Sequence, residues 1–229
     1  PERPSNRRRN QKGVGEKLVW MHCASLGEFE QGRPVIEKIR SAYPSDKILI
    51  TFFSPSGYEV RKNYTGADGV FYLPPDSKKN ASDFIHIINP SFVIWIKYEY
   101  WYYYLTELKR KNIPVILVSA IFRENQPFFK AYGSLWKKML GCFSEIFIQN
   151  DASLALLKTI GFAEMATIAG DTRFDRVISG VEKLLPLPEK LLGFCKGHHV
   201  IVAGSTWEED EEILVHFEKI NRHIQTIIA

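Results

Sequence analysis

Leu18-Val19-Trp20-Met21-His22-Cys23-Ala24-Ser25-Leu26-Gly27-Glu28 carries a change of period. Its first five residues are a β-rich apolar run, and Ala24, Ser25 and Gly27 supply a turn of small residues. From Glu28 onward Val35, Ile36, Ile39 and Tyr43 fall on one helical face, and Pro44 stops the helix. Outward from this stretch, short apolar runs alternate with helical-period segments along almost the whole chain. They predict strands at residues 18–22, 48–53, 69–73, 92–96, 115–119, 146–149 and 166–169, with helices between them. One helix is expected at 28–43. A longer amphipathic one is expected at 127–140, with Phe128, Phe129, Tyr132, Leu135, Trp136 and Met139 as its apolar stripe. The alternation predicts an α/β fold built of βαβ units, with a parallel sheet covered by helices on both faces.

After Asp175 the pattern breaks at a segment containing Pro186 and Pro188, then restarts. Residues 199–203 read as a strand, Gly204-Ser205-Thr206-Trp207 as a turn, 208–221 as a helix and 225–229 as a second strand. The chain therefore divides into a basic polar opening stretch (1–17), a first α/β domain (18–176), a linker with a short helix (177–197) and the start of a second α/β domain (198–229). Two strands cannot bury a core of their own, so the second domain is expected to be partial.

With 229 residues and 45% hydrophobic composition, the chain can bury a full core. Lys and Arg total 30 against 26 Asp and Glu, a formal charge of +4, too mild to imply nucleic acid. The densest positive cluster is Arg7-Arg8-Arg9, which reads either as a solvated terminus or as a contact with an anionic membrane surface. Cys23, Cys142 and Cys195 lie far apart and encode neither a zinc knuckle nor a disulfide framework, which fits a reducing compartment. No apolar run approaches the roughly 20 residues that span a bilayer, so membrane contact by these residues is expected to be peripheral. The six histidines form no metal-protease pattern, and neither a dinucleotide fingerprint nor a P-loop is present.

Three constellations carry chemistry. The first is Ser25-Leu26-Gly27-Glu28, with a counterpart in Ser205-Thr206-Trp207-Glu208. Each has the spacing of a capping box, in which the glutamate folds back on its own helix start. Glu28 also sits at the carboxyl end of a strand, where open parallel sheets bind ligands and where a carboxylate can take a proton from a hydroxyl. Those two uses compete for one side chain. The second is Lys97-Tyr98-Glu99-Tyr100-Trp101-Tyr102-Tyr103-Tyr104. Six aromatics in seven positions cannot all face a core, and those left over suit a sugar ring or a lipid interface, with Glu99 the member to single out. The third is Gly170-Asp171-Thr172-Arg173-Phe174-Asp175. Arg173 can clamp a phosphate or carboxylate, or pair with Asp171 or Asp175. Ser119 and Arg123 offer a further anion-binding option.

Taken in order, Ser25-Leu26-Gly27-Glu28, Glu99 with Trp101, Gly170-x-x-Arg173-Phe174-Asp175 and Ala203-Gly204-Ser205-Thr206-Trp207-Glu208-Glu209-Asp210-Glu211 resemble the 3-deoxy-D-manno-octulosonic acid (Kdo) transferases of lipopolysaccharide biosynthesis. The resemblance runs from about Leu18 to Ala229. It implies a GT-B fold, two Rossmann-like domains facing a cleft, and inverting transfer of Kdo from CMP-Kdo to the lipid A precursor, an anionic glycolipid. By that resemblance Glu28 is the general base, with Ser25, Gly27, Glu99 and Trp101 on the acceptor side; Arg123 joins them by its place after the strand at 115–119. Arg173, Gly204, Ser205 and Thr206 fall on the donor and phosphate side. No metal or cofactor is implied beyond the donor substrate CMP-Kdo, and no nucleic acid. The family works at the cytoplasmic face of the bacterial inner membrane, held there by an N-terminal hydrophobic anchor.

Three departures stand out: Lys97 where many relatives carry glutamate, Tyr102 where proline is usual, and Arg173 for the commoner lysine. The anchor and the segments that grip the cytidine nucleotide are not among these residues, so they are not expected to be catalytically competent alone. Two other readings fit the same residues. One is a GT-B transferase or epimerase using a UDP-sugar; the other is a non-catalytic peripheral membrane module using Arg7–Arg9 and the Tyr/Trp cluster.

Overall fold

The computed structural model describes residues 17–97, 99–181 and 186–228; Arg7, Arg8, Arg9 and Tyr98 lie outside them. The described chain forms two compact units that divide between Gly180 and Val181.

The first unit runs β1 (Leu18–Cys23), α1 (Leu26–Ala42), β2 (Lys47–Phe52), α2 (Pro55–Arg61), β3 (Gly69–Tyr72), α3 (Lys78–Ile88), β4 (Phe92–Ile96), α4 (Tyr102–Arg110), β5 (Val115–Ala120), α5 (Ser134–Leu140), β6 (Glu145–Ile148), α6 (Asp151–Thr159), β7 (Ala166–Ile168) and α7 (Thr172–Val181). All seven expected strands are present within one residue at either end. They form one parallel sheet in the order β3-β2-β1-β4-β5-β6-β7. Trp20 of β1 lies opposite Leu49 of β2 on one side and Val93 of β4 on the other. The chain therefore winds outward through β2 and β3, returns to the other side of β1, and winds outward again. At the β1/β4 junction the connections diverge, leaving an opening at the strands' carboxyl ends.

Both faces of the sheet are covered. Val19, Met21 and Cys23 of β1 face one core with Phe29 and Ile36 of α1. Trp20 faces the other core, with Trp95 and with Tyr104, Leu105 and Leu108 of α4. In that second core Trp20 meets Trp95 edge-on, with ring centroids 5.5 Å apart. This period-2 division in a strand buried over most of its length is what the unbroken apolar run encodes. Helix α1 lies close on the sheet. A Cβ at Gly32 would come within 2.7 Å of Met21 Sδ and 3.1 Å of Ile96 Cδ1. Seating α1 against both β1 and β4 brings its first turn, with Glu28, to the junction of the two strands.

The single helix expected at 127–140 is two pieces: a 3₁₀ turn at Pro127–Phe129 and α5. Lys130 is extended (φ −100°, ψ 157°), and the chain folds back so tightly that a Cβ at Gly133 would lie 2.1 Å from the Pro127 carbonyl oxygen. The expected stripe is split accordingly: Phe128 and Met139 are buried, while Tyr132 and Leu135 are exposed.

The second unit holds α8 (Glu189–Cys195), β8 (His199–Ala203), α9 (Glu208–Ile220) and β9 (Ile224–Ile228). The two strands pair in parallel, with His199 opposite Ile224, and α9 makes the crossover.

Gly133→Ala places a methyl group against backbone carbonyls that have no side-chain freedom to yield. We expect a loss of about 1–3 kcal/mol in chemical denaturation, the cost of overpacking. An unchanged midpoint would show that the 127–133 turn opens at little cost.

Candidate functional site

Ser25 is the N-cap of α1, with extended backbone (φ −137°, ψ 171°), and its Oγ accepts the Glu28 N–H at 3.4 Å. The N–H of the cap residue, Ser25, acts on the Glu28 carboxylate. The carboxylate also reaches one residue further, where Oε2 accepts the Ala24 N–H at 2.5 Å. The side chain takes up the capping use that the sequence offered, folded back on the start of its own helix. The anchored carboxylate lies beside the exposed backbone of Gly27. Burial pushes the Glu28 carboxyl up to about 7, the Ala24 N–H opposes that rise, and the negative charge of Glu99 adds to it.

Glu99 follows β4, across the β1/β4 junction from Glu28. Two indoles hold it: Trp95 Nε1–H donates to its backbone carbonyl at 2.6 Å, and Trp101 Nε1–H donates to its carboxylate Oε2 at 2.7 Å. Both indoles pack on the imidazole of His22, with centroids 4.6 Å (Trp95) and 5.8 Å (Trp101) away. His22 is 0% exposed, its Nδ1 lies 3.0 Å from Thr51 Oγ1, and burial pushes its pKa down to about 3. It stays neutral beneath the site. Its buried Nε2 has no partner among the described residues. Cys23 is no candidate nucleophile: burial, reinforced by Glu28, drives its thiol pKa well up.

The aromatic segment divides as its period requires. Tyr104 is buried, with its hydroxyl donating to the Pro74 carbonyl at 3.0 Å; Tyr103 is exposed, and Trp101 lies between these extremes. Trp101 is the N-cap of α4 and supplies no side-chain cap. Asp76, from the β3–α3 connection, supplies it instead, its Oδ1 accepting the N–H groups of Tyr103 at 3.1 Å and Tyr104 at 3.2 Å. No local pattern announces a cap that arrives from 27 residues away.

A charged group surrounds Glu28. Lys97 ends β4 in a left-handed conformation (φ 56°). Burial lowers the pKa of its ammonium, and the fields of Arg173, Asp171, Glu28 and Arg123 all act on it. The structure thus gathers Ser25, Gly27, Glu28, Glu99, Trp101, Arg123 and Arg173 at one end of the sheet. Arg173 also makes the salt bridge that sequence offered as its other use, with Nε 2.8 Å from Asp171 Oδ2. Ser119 drops out of the anion-binding option. It is buried inside β5 in a left-handed conformation (φ 58°), and Gln149 Nε2 donates to its carbonyl at 2.9 Å.

Gly204, Ser205 and Thr206 belong to the second unit, at the end of β8. The capping box read from Ser205 and Glu208 is not formed there. Ser205 is left-handed (φ 59°), Trp207 is the N-cap, and Asp210 accepts its N–H at 3.1 Å. Thr206 Oγ1 instead donates to Glu211 at 3.0 Å. Among the described residues no three His, Cys, Asp or Glu converge to hold a metal ion, and no helix is long and apolar enough to cross a membrane.

A seven-stranded parallel sheet in this order is a Rossmann-like domain of the GT-B kind. Solved structures share that fold. The UDP-GlcNAc 2-epimerase of Neisseria meningitidis bound to UDP-GlcNAc matches 92% of this chain and 64% of its own, with TM-score 0.64 at 15% identity. A putative UDP-N-acetylglucosamine 2-epimerase of Listeria monocytogenes matches 94% and 63%, with TM-score 0.65 at 10% identity.

Sequence places the chain more finely: it belongs to the 3-deoxy-D-manno-octulosonic-acid transferase (kdotransferase) family, whose N-terminal glycosyltransferase model matches residues 2–176. Among curated relatives, the 3-deoxy-D-manno-octulosonic acid transferase of Haemophilus influenzae is 28% identical over 86% of this chain and 47% of its own length. That of Chlamydia muridarum is 26% identical over 93% and 51%. A bifunctional glycosyltransferase/methyltransferase of Fusobacterium nucleatum is 26% identical over 93% and 34%. The chain spans about half or less of the length of these relatives.

Glu28 makes stability depend on pH. Its carboxyl is raised from an ordinary 4.5 to about 7, so its contribution is full below 4.5 and is lost as pH rises through 7. Glu28→Gln keeps the acceptor oxygen and removes the titration. The variant's melting temperature should therefore gain on the parent's progressively between pH 4.5 and 8. A difference that is flat with pH would show that Glu28 titrates normally. Asp76→Ala strips the remote cap of α4 and should cost about 1–2 kcal/mol in denaturant unfolding. A cost near zero would mean that water replaces the carboxylate.

Proposed function

We propose that this chain is the acceptor-binding half, with part of the donor-binding half, of an inverting transferase that moves Kdo from CMP-Kdo to a hydroxyl of the lipid A precursor. The single observation that carries the reading is the Glu28 carboxylate. It is held by the Ala24 N–H, it titrates near neutrality, and it lies at the strand-order reversal opposite Glu99. Family membership supports the choice of sugar.

In this reading the acceptor hydroxyl lies against Glu28. As its oxygen bonds to the anomeric carbon of Kdo, its proton passes to the carboxylate, while the bond from that carbon to the CMP phosphate breaks and its electron pair leaves with the phosphate. Trp101 keeps Glu99 oriented toward the acceptor. Lys97, Arg123 and Arg173 give this end of the sheet the cations that a sugar carboxylate or a phosphate seeks. The turn Gly204-Ser205-Thr206 is assigned to the donor by resemblance. A lipid acceptor places the work at the cytoplasmic face of the bacterial inner membrane, and the basic cluster Arg7–Arg9 suits an anionic surface.

The test is transfer by the full-length protein, offered CMP-Kdo or UDP-sugars with the lipid A precursor. CMP-Kdo alone should support turnover, and the rate should rise with pH through about 7 as Glu28 ionises. Glu28→Gln should lower kcat by ~10²–10⁴-fold. Turnover from a UDP-sugar, or a Gln variant at parental rate, would refute the proposal.

A further inference from the structure

We propose that Phe53 and Trp101 form an aromatic shelf on which one pyranose ring of the acceptor stacks, beside Glu28 and Glu99. The inference rests on the reading of this end of the sheet as an acceptor site, and it names a binding residue, Phe53, that no motif marks.

Phe53 is the first residue past β2, at the same edge of the sheet as the two carboxylates. Every residue of β2 from Ile48 to Phe52 is buried, yet the Phe53 side chain is 50% exposed. Its ring stands edge-on to Trp101, with centroids 4.7 Å apart and planes at 71°, so that an aromatic face and an aromatic edge meet at a corner. Beneath Trp101 lies the neutral imidazole of His22, packed in turn on Trp95. The corner therefore has a rigid floor.

The shelf is tied to both carboxylates by hydrogen bonds. Trp101 donates to Glu99. On the other side, the N–H groups of Phe53 and Ser54 both donate to the Ala24 carbonyl, at 3.3 and 2.7 Å, and the Ala24 N–H donates to Glu28. A ligand resting on Phe53 is thus in fixed relation to the atom that takes the proton.

The surroundings select a sugar over an acyl chain. An acyl chain needs continuous apolar surface, but this shelf is bounded by Glu28, by Glu99 and by the hydroxyls of Ser54 and Ser56, which lie 2.9 Å apart. A pyranose ring matches that border. Its C–H face covers the aromatic corner while the hydroxyls on its rim reach carboxylates and serines.

The experiment uses the full-length protein without donor and an acyl-free glucosamine disaccharide, titrated by tryptophan fluorescence. Phe53→Ala should weaken binding about tenfold or more, and Phe53→Tyr, which keeps the flat face, should stay within about threefold of the parent. In turnover assays Phe53→Ala should raise KM for the acceptor by a similar factor, leave KM for the donor unchanged and change kcat little. Because the ring is half exposed, the melting temperature should hold. The proposal is overturned if the parent does not bind the acyl-free sugar, if Phe53→Ala binds it as the parent does, or if the variant loses affinity only for acylated acceptors. Absence of transfer from CMP-Kdo would defeat the functional reading alone, because the fluorescence titration is read without donor.

Discussion

The backbone of Ala24 is hydrogen-bonded at both of its polar groups, and the site is organised around that residue. Its N–H holds the Glu28 carboxylate, and its carbonyl receives the chain leaving β2 at Phe53 and Ser54. Ala24 can serve both because it lies one residue past β1, where the ladder has ended and its backbone groups are released from sheet pairing. Glu28 and the neighbouring strand end are thus located by main-chain atoms at the end of a buried strand, which no side-chain substitution elsewhere displaces easily. Glu99 reaches the same edge by another route, through the indole N–H groups of Trp95 and Trp101. One side of the junction is fixed by backbone and the other by aromatic packing.

The fold was legible because its signal is one of period. Apolar runs of four to six residues alternating with amphipathic segments have few interpretations other than a doubly wound sheet, and every expected strand of the first unit is there. Two misreadings have local causes. The 127–140 stripe has helical spacing, but Gly133 lets the chain fold back onto the Pro127 carbonyl, a tertiary contact that propensity does not register. The second Ser-x-x-Glu is not a cap because Ser205 is left-handed, which shifts the N-cap two residues along to Trp207.

Of the site, the carboxylates were visible because each follows an apolar strand directly, Glu28 in a capping-box spacing and Glu99 amid aromatics. What surrounds them was not visible. His22 looks like one polar residue in a strand, and its place under both indoles follows from the order β2-β1-β4, which sequence does not state. Asp76 caps α4 across a long sequence gap for the same reason. Phe53 reads as the last residue of a buried strand, and only its exposure distinguishes it from Phe52.

Lys97 and Ser119 end or interrupt adjacent strands with left-handed backbone, a conformation that costs most residues other than glycine on the order of 1 kcal/mol. Glycine at either position would relieve that strain, so the carboxyl edge of the sheet holds stability in reserve. A search for thermally hardened variants would be drawn to this edge, and at Lys97 it would remove a charge that acts on Glu28. Selection for robustness would therefore change the charge around Glu28 as it relieved the backbone.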